Sequence, residues 1–202
     1  MSVIKFLASR GFAFRGSSEI LGSVHSGNYL GILELLAEYD TFLAEHIQRR
    51  ANKGKGHVSY LSSTICNKFI ELLGQEVQQH IVSEVKAAKY YSISVDSTPD
   101  IAHTDQLTVI LRYVLQDCPV ERVVKFLLIH GHAGGELANV LVDFLHDTGI
   151  DIADCGGQPH DNASNMSGKY NGMQALIREK NNLVEYVPSC AHSLITWLEN
   201  SL

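Results

Sequence analysis

The chain has 202 residues and a net charge of −6, with 45% hydrophobic and 19% charged residues. That is ordinary globular composition, enough for one medium domain or for a small helical domain leading into a compact α/β one. The acidic balance argues against a free-standing nucleic-acid binder, which needs a basic surplus to neutralise phosphates, although a nuclease core whose metal ions meet the phosphate can still be acidic.

Along the chain, Met1 to Gly16 is apolar only in short pieces broken by Lys5, Arg10 and Arg15, unlike a signal peptide. From Gly31 to Gln48 the residues Ile32, Leu33, Leu35, Leu36, Tyr39, Phe42, Leu43 and Ile47 recur at three- and four-residue steps. That spacing predicts one amphipathic helix. A Lys-, Arg- and Gly-rich loop, 49–57, follows and reads as solvated. A second helix is predicted from a Ser62 or Ser63 cap through Leu73, continuing or breaking near Gly74 on the way to Lys89.

The pattern then changes to period two. Tyr90 to Asp96 alternates β-branched and aromatic residues with serines, as a strand does, and Gln106–Leu115 and Val120–His130 are two further strand-like runs. Gln116–Pro119 is short enough to join the latter two as a hairpin. Leu137–Leu145 restores helical spacing between Gly134-Gly135 and Gly149. The segment 150–156 is expected as a fourth strand, Met166–Lys180 as a helix weakened by Gly168 and Gly172, and Leu183–Cys190 as a fifth strand. Strand, strand, strand, helix, strand, helix, strand is the element order of a ribonuclease-H-like mixed sheet. The expected fold is therefore α/β, a ribonuclease-H-like core over 90–194 preceded by a helical region, 1–89, and followed by a divergent tail, 195–202.

Asp96 ends the first strand and Asp161 follows the fourth. If those strands are neighbours, both carboxylates reach one sheet edge, where they repel unless a cation sits between them. Hard oxygen ligands suit Mg²⁺ or Mn²⁺, the ions of phosphodiester chemistry. Read alone, an Asp at a strand end serves more often as a cap or turn residue. Four cysteines, Cys66, Cys118, Cys155 and Cys190, lie too far apart for a zinc ribbon and read as reduced thiols of an intracellular protein. His130-Gly131-His132 lacks a third ligand for zinc and reads as a strand end entering a loop.

Three stretches carry a resemblance: Ser94–Asp100, Asp105–Val114 and, most distinctive, Gly157-Gln158-Pro159-His160-Asp161-Asn162-Ala163-Ser164-Asn165-Met166-Ser167-Gly168. With the lead-in Leu7–Gly16 and Ser26–Tyr29, they resemble hAT-superfamily transposases, and most of all the transposase-derived proteins similar to zinc finger MYM-type protein 1 and their domain of unknown function. The likeness runs to Leu194. It implies a ribonuclease-H-like catalytic domain in which two Asp and one Glu hold divalent metal, with Asp96 in the place of the first acid and Asp161 of the second. Asp100 suits a cap or turn, Arg112 a charge partner in the sheet as readily as a phosphate contact, and His160 a loop or packing role.

The family's third acid lies far downstream, and the chain is expected to stop before it; Glu199 stands too early and outside any matching motif. Ser189-Cys190-Ala191-His192 places its cysteine one position late, and the text after Leu194 departs from the family. The expected function by ancestry is metal-dependent DNA cleavage and strand transfer in the nucleus, with little catalysis by this chain. The alternative is a non-catalytic module that binds protein partners.

Overall fold

A computed structural model describes residues 1–53, 60–99, 104–160 and 163–188. The chain parts into two compact units, Met1–Glu76 and Val77–Leu202.

In the first unit, α1 (Ser2–Ser9), α2 (Gly27–Ala37) and α3 (Thr41–Arg50) precede α4 (Ser63–Ala88), whose first half belongs to this unit. Val3, Ile4 and Leu7 of α1 pack with Tyr29, Leu30, Leu61 and Cys66 into a small core. The continuous helix expected over Gly31–Gln48 is two helices. Asp40 is extended (φ −118°, ψ 104°), and its carboxylate accepts a hydrogen bond from the Leu43 amide, so it caps a new helix rather than continuing the old one. Ser62 performs the same duty for α4, its Oγ accepting from Ile65 N. The helix α4 then runs unbroken through Gly74. One glycine there costs roughly 1 kcal/mol against alanine, which the rest of a 26-residue helix outweighs.

The second unit is the α/β one. Its strands are β1 (Tyr91–Pro99), β2 (Asp105–Leu115), β3 (Cys118–Leu128), β4 (Cys155–His160) and β5 (Glu185–Pro188), in spatial order β3-β2-β1-β4-β5. β1–β2 and β2–β3 are antiparallel; β1–β4 and β4–β5 are parallel. The helices α5 (Gly134–Thr148) and α7 (Met173–Lys180) lie within the two crossovers that the parallel pairs require, with a single turn, α6 (Ser164–Ser167), before α7. The fold is thus the α/β mixed sheet that the element order implied.

The strand alternation decides which face is covered. Tyr91, Ile93 and Val95 of β1 and Leu107, Val109, Leu111 and Tyr113 of β2 are buried with Ile81 and Val85 of α4, Leu137, Leu141 and Leu145 of α5, and Met173 and Ile177 of α7. Two consecutive right-handed crossovers in the same direction along a sheet put their helices on the same face. The alternate residues face away from those helices, and there Val114, Val123, Phe126 and Leu128 are exposed.

Several boundaries moved. The β2–β3 connection is tighter than expected: Gln116 and Asp117 alone make the turn, both with positive φ (49° and 63°), and Leu115 pairs with Cys118. That is the two-residue turn whose twist matches the strands it joins. The fourth strand does not start at Ile150. Ile152–Asp154 is a 3₁₀ turn with Asp151 accepting from Ala153 N, and β4 begins at Cys155. Gly134 and Gly135, expected as punctuation, form the first turn of α5, while Gly149 ends it in the left-handed conformation (φ 66°). The helix expected over Met166–Lys180 is split into α6 and α7 at Gly168 to Gly172.

Candidate metal centre

Asp96 stands on β1 because Tyr91 to Val95 alternates one large apolar residue inward with one serine outward. Ser92, Ser94 and Asp96 share the outward face, and Asp96 is solvent-exposed opposite Thr108 of β2. Aspartate is a poor strand residue. Its place at the open face, after the last buried residue of the alternation, Val95, leaves its carboxylate to water instead of to the core.

β4 lies directly beside β1 and runs parallel to it, as the site requires. The ladder aligns Tyr91 with Cys155 and, after a one-residue irregularity, Ser92 with Gly157. A methyl group on Gly157 would come within 3.4 Å of Ser92 Cβ, which fits side-by-side residues on one face. β4 continues to His160. Asp161, the second expected ligand, lies outside the described residues, as do Asp100 and Glu199.

The remaining expected residues are placed as follows. Arg112 Nη1 lies 3.4 Å from Glu121 Oε1 across the β2–β3 pair, both side chains being more than half exposed. It is the charge partner in the sheet, worth little on its own. β3 ends at Leu128, so His130 and His132 do not share a strand face. His132 instead sets its Nε2 3.1 Å from Asp105 Oδ2 at the start of β2. Among the described residues no group of three or more His, Cys, Asp or Glu side chains is arranged to hold a metal ion. Cys66, Cys118 and Cys155 are free thiols.

The segments on either side of position 161 are held by amide side chains, which the sequence did not single out. Gln158, fully buried on β4, donates from Nε2 to Gln174 O at 2.9 Å. Gln174 in turn reaches Ser167 O at 3.5 Å and Gly168 O at 3.3 Å. Asn165 Nδ2 donates to His132 O at 3.1 Å. Asn181 donates to Ile152 O and Cys155 O, at 2.7 and 2.9 Å, and accepts from Leu183 N. A buried amide must be paired in this way, because an unpaired one costs about 1–3 kcal/mol. The local sequence carries no signal for them: Asn181 follows Arg178-Glu179-Lys180 and precedes Asn182, where a polar residue reads as solvated.

Burial also shifts the ionisable groups beneath the site. The Cys155 thiol is pushed up to about 11, mainly by desolvation. Tyr113 is raised to about 12, first by burial and then by its hydrogen bond to Glu84. Tyr91, whose hydroxyl donates to Asp151 O at 2.9 Å, is raised further, again by burial first.

With this sheet order and the Asp96 strand in place, comparison with known families becomes decisive. The model of the family described as "ZMYM1/FAM200, RNase-like domain" matches residues 1–172. The chain belongs to that family. The match takes in the helical first unit as well as β1 to β4, so the RNase-like description covers the strand pair on which Asp96 stands. Among the described residues no helix is long and apolar enough to cross a membrane.

Proposed function

We propose that this RNase-like domain descends from an hAT-superfamily transposase and binds a divalent cation, Mg²⁺ or Mn²⁺, between Asp96 and Asp161. The observation that carries the reading is the register of the parallel pair. Ser92 aligns with Gly157, an offset of 157 − 92 = 65. The two acids are separated by 161 − 96 = 65 positions. A parallel ladder keeping that offset brings the two positions level on neighbouring strands. On such a ladder even steps return to the same face, so the two positions would share the face of Ser92 and Gly157.

The donor set fits the ion. An exposed carboxylate on a strand face, such as that of Asp96, offers a hard oxygen without the cost of burying a charge, and Mg²⁺ is held by one or two carboxylates with water and phosphate completing its shell. Asp96 and Asp161 would hold it, and when bound it would supply charge neutralisation and polarisation at a phosphodiester. By ancestry that substrate is DNA and the setting the nucleus. The net charge of −6 means that phosphate affinity from this chain alone is weak.

The test is isothermal titration of Mn²⁺ into the chain and into an Asp96→Asn/Asp161→Asn double variant. Removing both carboxylates should abolish the binding heat while leaving far-ultraviolet circular dichroism unchanged. Equal heats, or none in either protein, would sink the reading.

A further inference from the structure

The first unit has a surface that its own core does not explain. α2 carries one charged residue, Glu34, among its 11, so apolar side chains leave it in every direction. Tyr29 and Leu30 are buried in the small core, with Ile32 and Leu33 half-buried against it. Leu35 and Leu36 are exposed. A helix that is apolar all round belongs in a fully covered place, and this one is covered on one side.

Backbone geometry gathers further apolar residues beside it. The amides of Glu38 and Tyr39 donate to Leu35 O and Leu36 O, so the helical turn persists and sets Tyr39 one turn beyond Leu35 and Leu36. Asp40 then caps α3, in whose first turn Phe42 stands. Tyr39 and Phe42 are 82% and 80% exposed. The Gly22 amide donates to Glu34 Oε1, and Asn52 bonds both the amide and the carbonyl of Leu21 at 3.0 Å. Those bonds seat the 17–25 loop, with its exposed Ile20 and Val24, on α2 and the end of α3. Large apolar side chains scattered singly over a surface need no explanation, but a group on three mutually anchored segments does.

The charge of this surface selects what can cover it. Residues 16–48 contain five acids, Glu19, Glu34, Glu38, Asp40 and Glu45, and no Lys or Arg. Glu45 pairs with Arg49 at 2.9 Å, while among the described residues Glu34, Glu38 and Asp40 have no ion-pair partner. Anionic membrane and nucleic-acid phosphate are repelled by such a surface. A second copy would set acid against acid across the contact. A protein segment with Lys or Arg beside its apolar residues matches it in both respects.

We propose that the α2–α3 corner is a docking surface for a basic amphipathic segment of another protein. The apolar residues of that segment cover Leu35, Leu36, Tyr39 and Phe42, and its Lys or Arg side chains meet Glu34, Glu38 and Asp40. The surface lies wholly in the first unit and is independent of the cation reading. Tyr39 and Phe42 are its anchors, since large aromatic contacts carry most of the affinity at protein interfaces. The carboxylates set orientation and make the contact salt-sensitive.

The experiment follows the fluorescence anisotropy of a labelled synthetic Leu/Lys peptide of about 18 residues, apolar at helical spacing, titrated with the full chain. The proteins are the wild type, Tyr39→Ala/Phe42→Ala and Glu38→Gln/Asp40→Asn, in which asparagine retains the cap of α3. A peptide with Glu in place of Lys is the charge control. The wild type should bind the Leu/Lys peptide and not the Leu/Glu one. Each double variant should weaken that binding about tenfold with unchanged circular dichroism. Unaltered binding by Tyr39→Ala/Phe42→Ala, equal binding of the two peptides, or no binding of either overturns the proposal. So does a dimer of the chain alone in sedimentation that Tyr39→Ala/Phe42→Ala dissolves, because a second copy then occupies the face. Should Tyr39→Ala/Phe42→Ala fail to fold, Glu38→Gln/Asp40→Asn carries the test: weaker binding supports the surface, and an unchanged affinity overturns it.

Discussion

At the scale of single residues, the second unit depends on a few amides more than its composition would suggest. Asn181 is 7% exposed; its side-chain amide reaches three carbonyls of the 3₁₀ turn and the start of β4, those of Ile152, Ala153 and Cys155, and its oxygen accepts from the Leu183 amide of its own turn. It therefore ties the end of α7 to the entrance of β4. Leucine at this position matches the volume but leaves those groups buried without partners. Asn181→Leu should destabilise the chain by about 3 kcal/mol, seen as a lower urea midpoint at unchanged slope. A change below about 1 kcal/mol would show that water reaches these carbonyls. Asp96 is the opposite case: exposed and outside the core, it can be changed to Asn at little cost to folding, which is what makes the titration with the double variant interpretable.

At the scale of elements, the β2–β3 hairpin has the tightest specification and an imperfect sequence for it. Gln116 and Asp117 both occupy the left-handed region, where neither is at its best. Replacing the pair by Asn-Gly, the residues this turn favours, should stabilise the chain by about 1 kcal/mol, measured by thermal or denaturant unfolding. No gain would mean that the turn geometry differs from the one described. The edge strand β3 is guarded against pairing with other chains in ways its sequence supplies: Pro119 near its start, exposed Glu121, Arg122 and Lys125, and a bulge opposite Val109/Ile110. Those charges coexist with exposed Val123, Phe126 and Leu128.

At the scale of the molecule, burial of neutral ionisable groups gives the α/β unit an alkaline limit. Cys155 ordinarily titrates near 9 and is raised to about 11 in the fold. Tyr113 ordinarily titrates near 10 and is raised to about 12. A raised value means that the folded state prefers the proton, so unfolding at high pH releases it. The corresponding stability is fully present below about pH 9 and is lost as pH climbs through 11 to 12. The thermal midpoint should therefore be flat from pH 7 to 9 and fall above it. Cys155→Val should flatten the first part of that fall, as measured by circular dichroism melts across the pH series. An identical profile in wild type and variant would remove Cys155 from the explanation.

How much was legible follows from the range of the forces involved. The period-two runs of β1, β2 and β3 were readable because one face of each must meet the core, and a strand's side chains alternate whatever its partners. Asp96 was readable with them as the acid that follows the buried alternation, but not as the end of its strand: β1 runs on to Pro99, because β2 continues to pair with it. The break at Asp40 was misread because the apolar spacing continues across it. Only the competition between helix continuation and a side-chain cap, settled by how α2 and α3 pack within their unit, ends one helix and starts the next. α1 was not expected, although Val3, Ile4 and Leu7 have helical spacing, because eight residues do not hold a helix without a core to pack on. β4 was placed five residues early because its text, Cys-Gly-Gly-Gln-Pro-His, has almost no strand character of its own. It is a strand because β1 and β5 lie on either side of it and supply its hydrogen bonds.

The sequence by itself determined the class of the fold, the order of its strands and the identity of Asp96 and Asp161 as candidate ligands, since these rest on local periodicity and on motif text. Tertiary structure alone decided that β1 and β4 are parallel neighbours with an offset of 65 at Ser92 and Gly157, and that Asn165 reaches His132. Those depend on contacts between residues tens of positions apart, and no local pattern encodes where a backbone carbonyl from another element will stand.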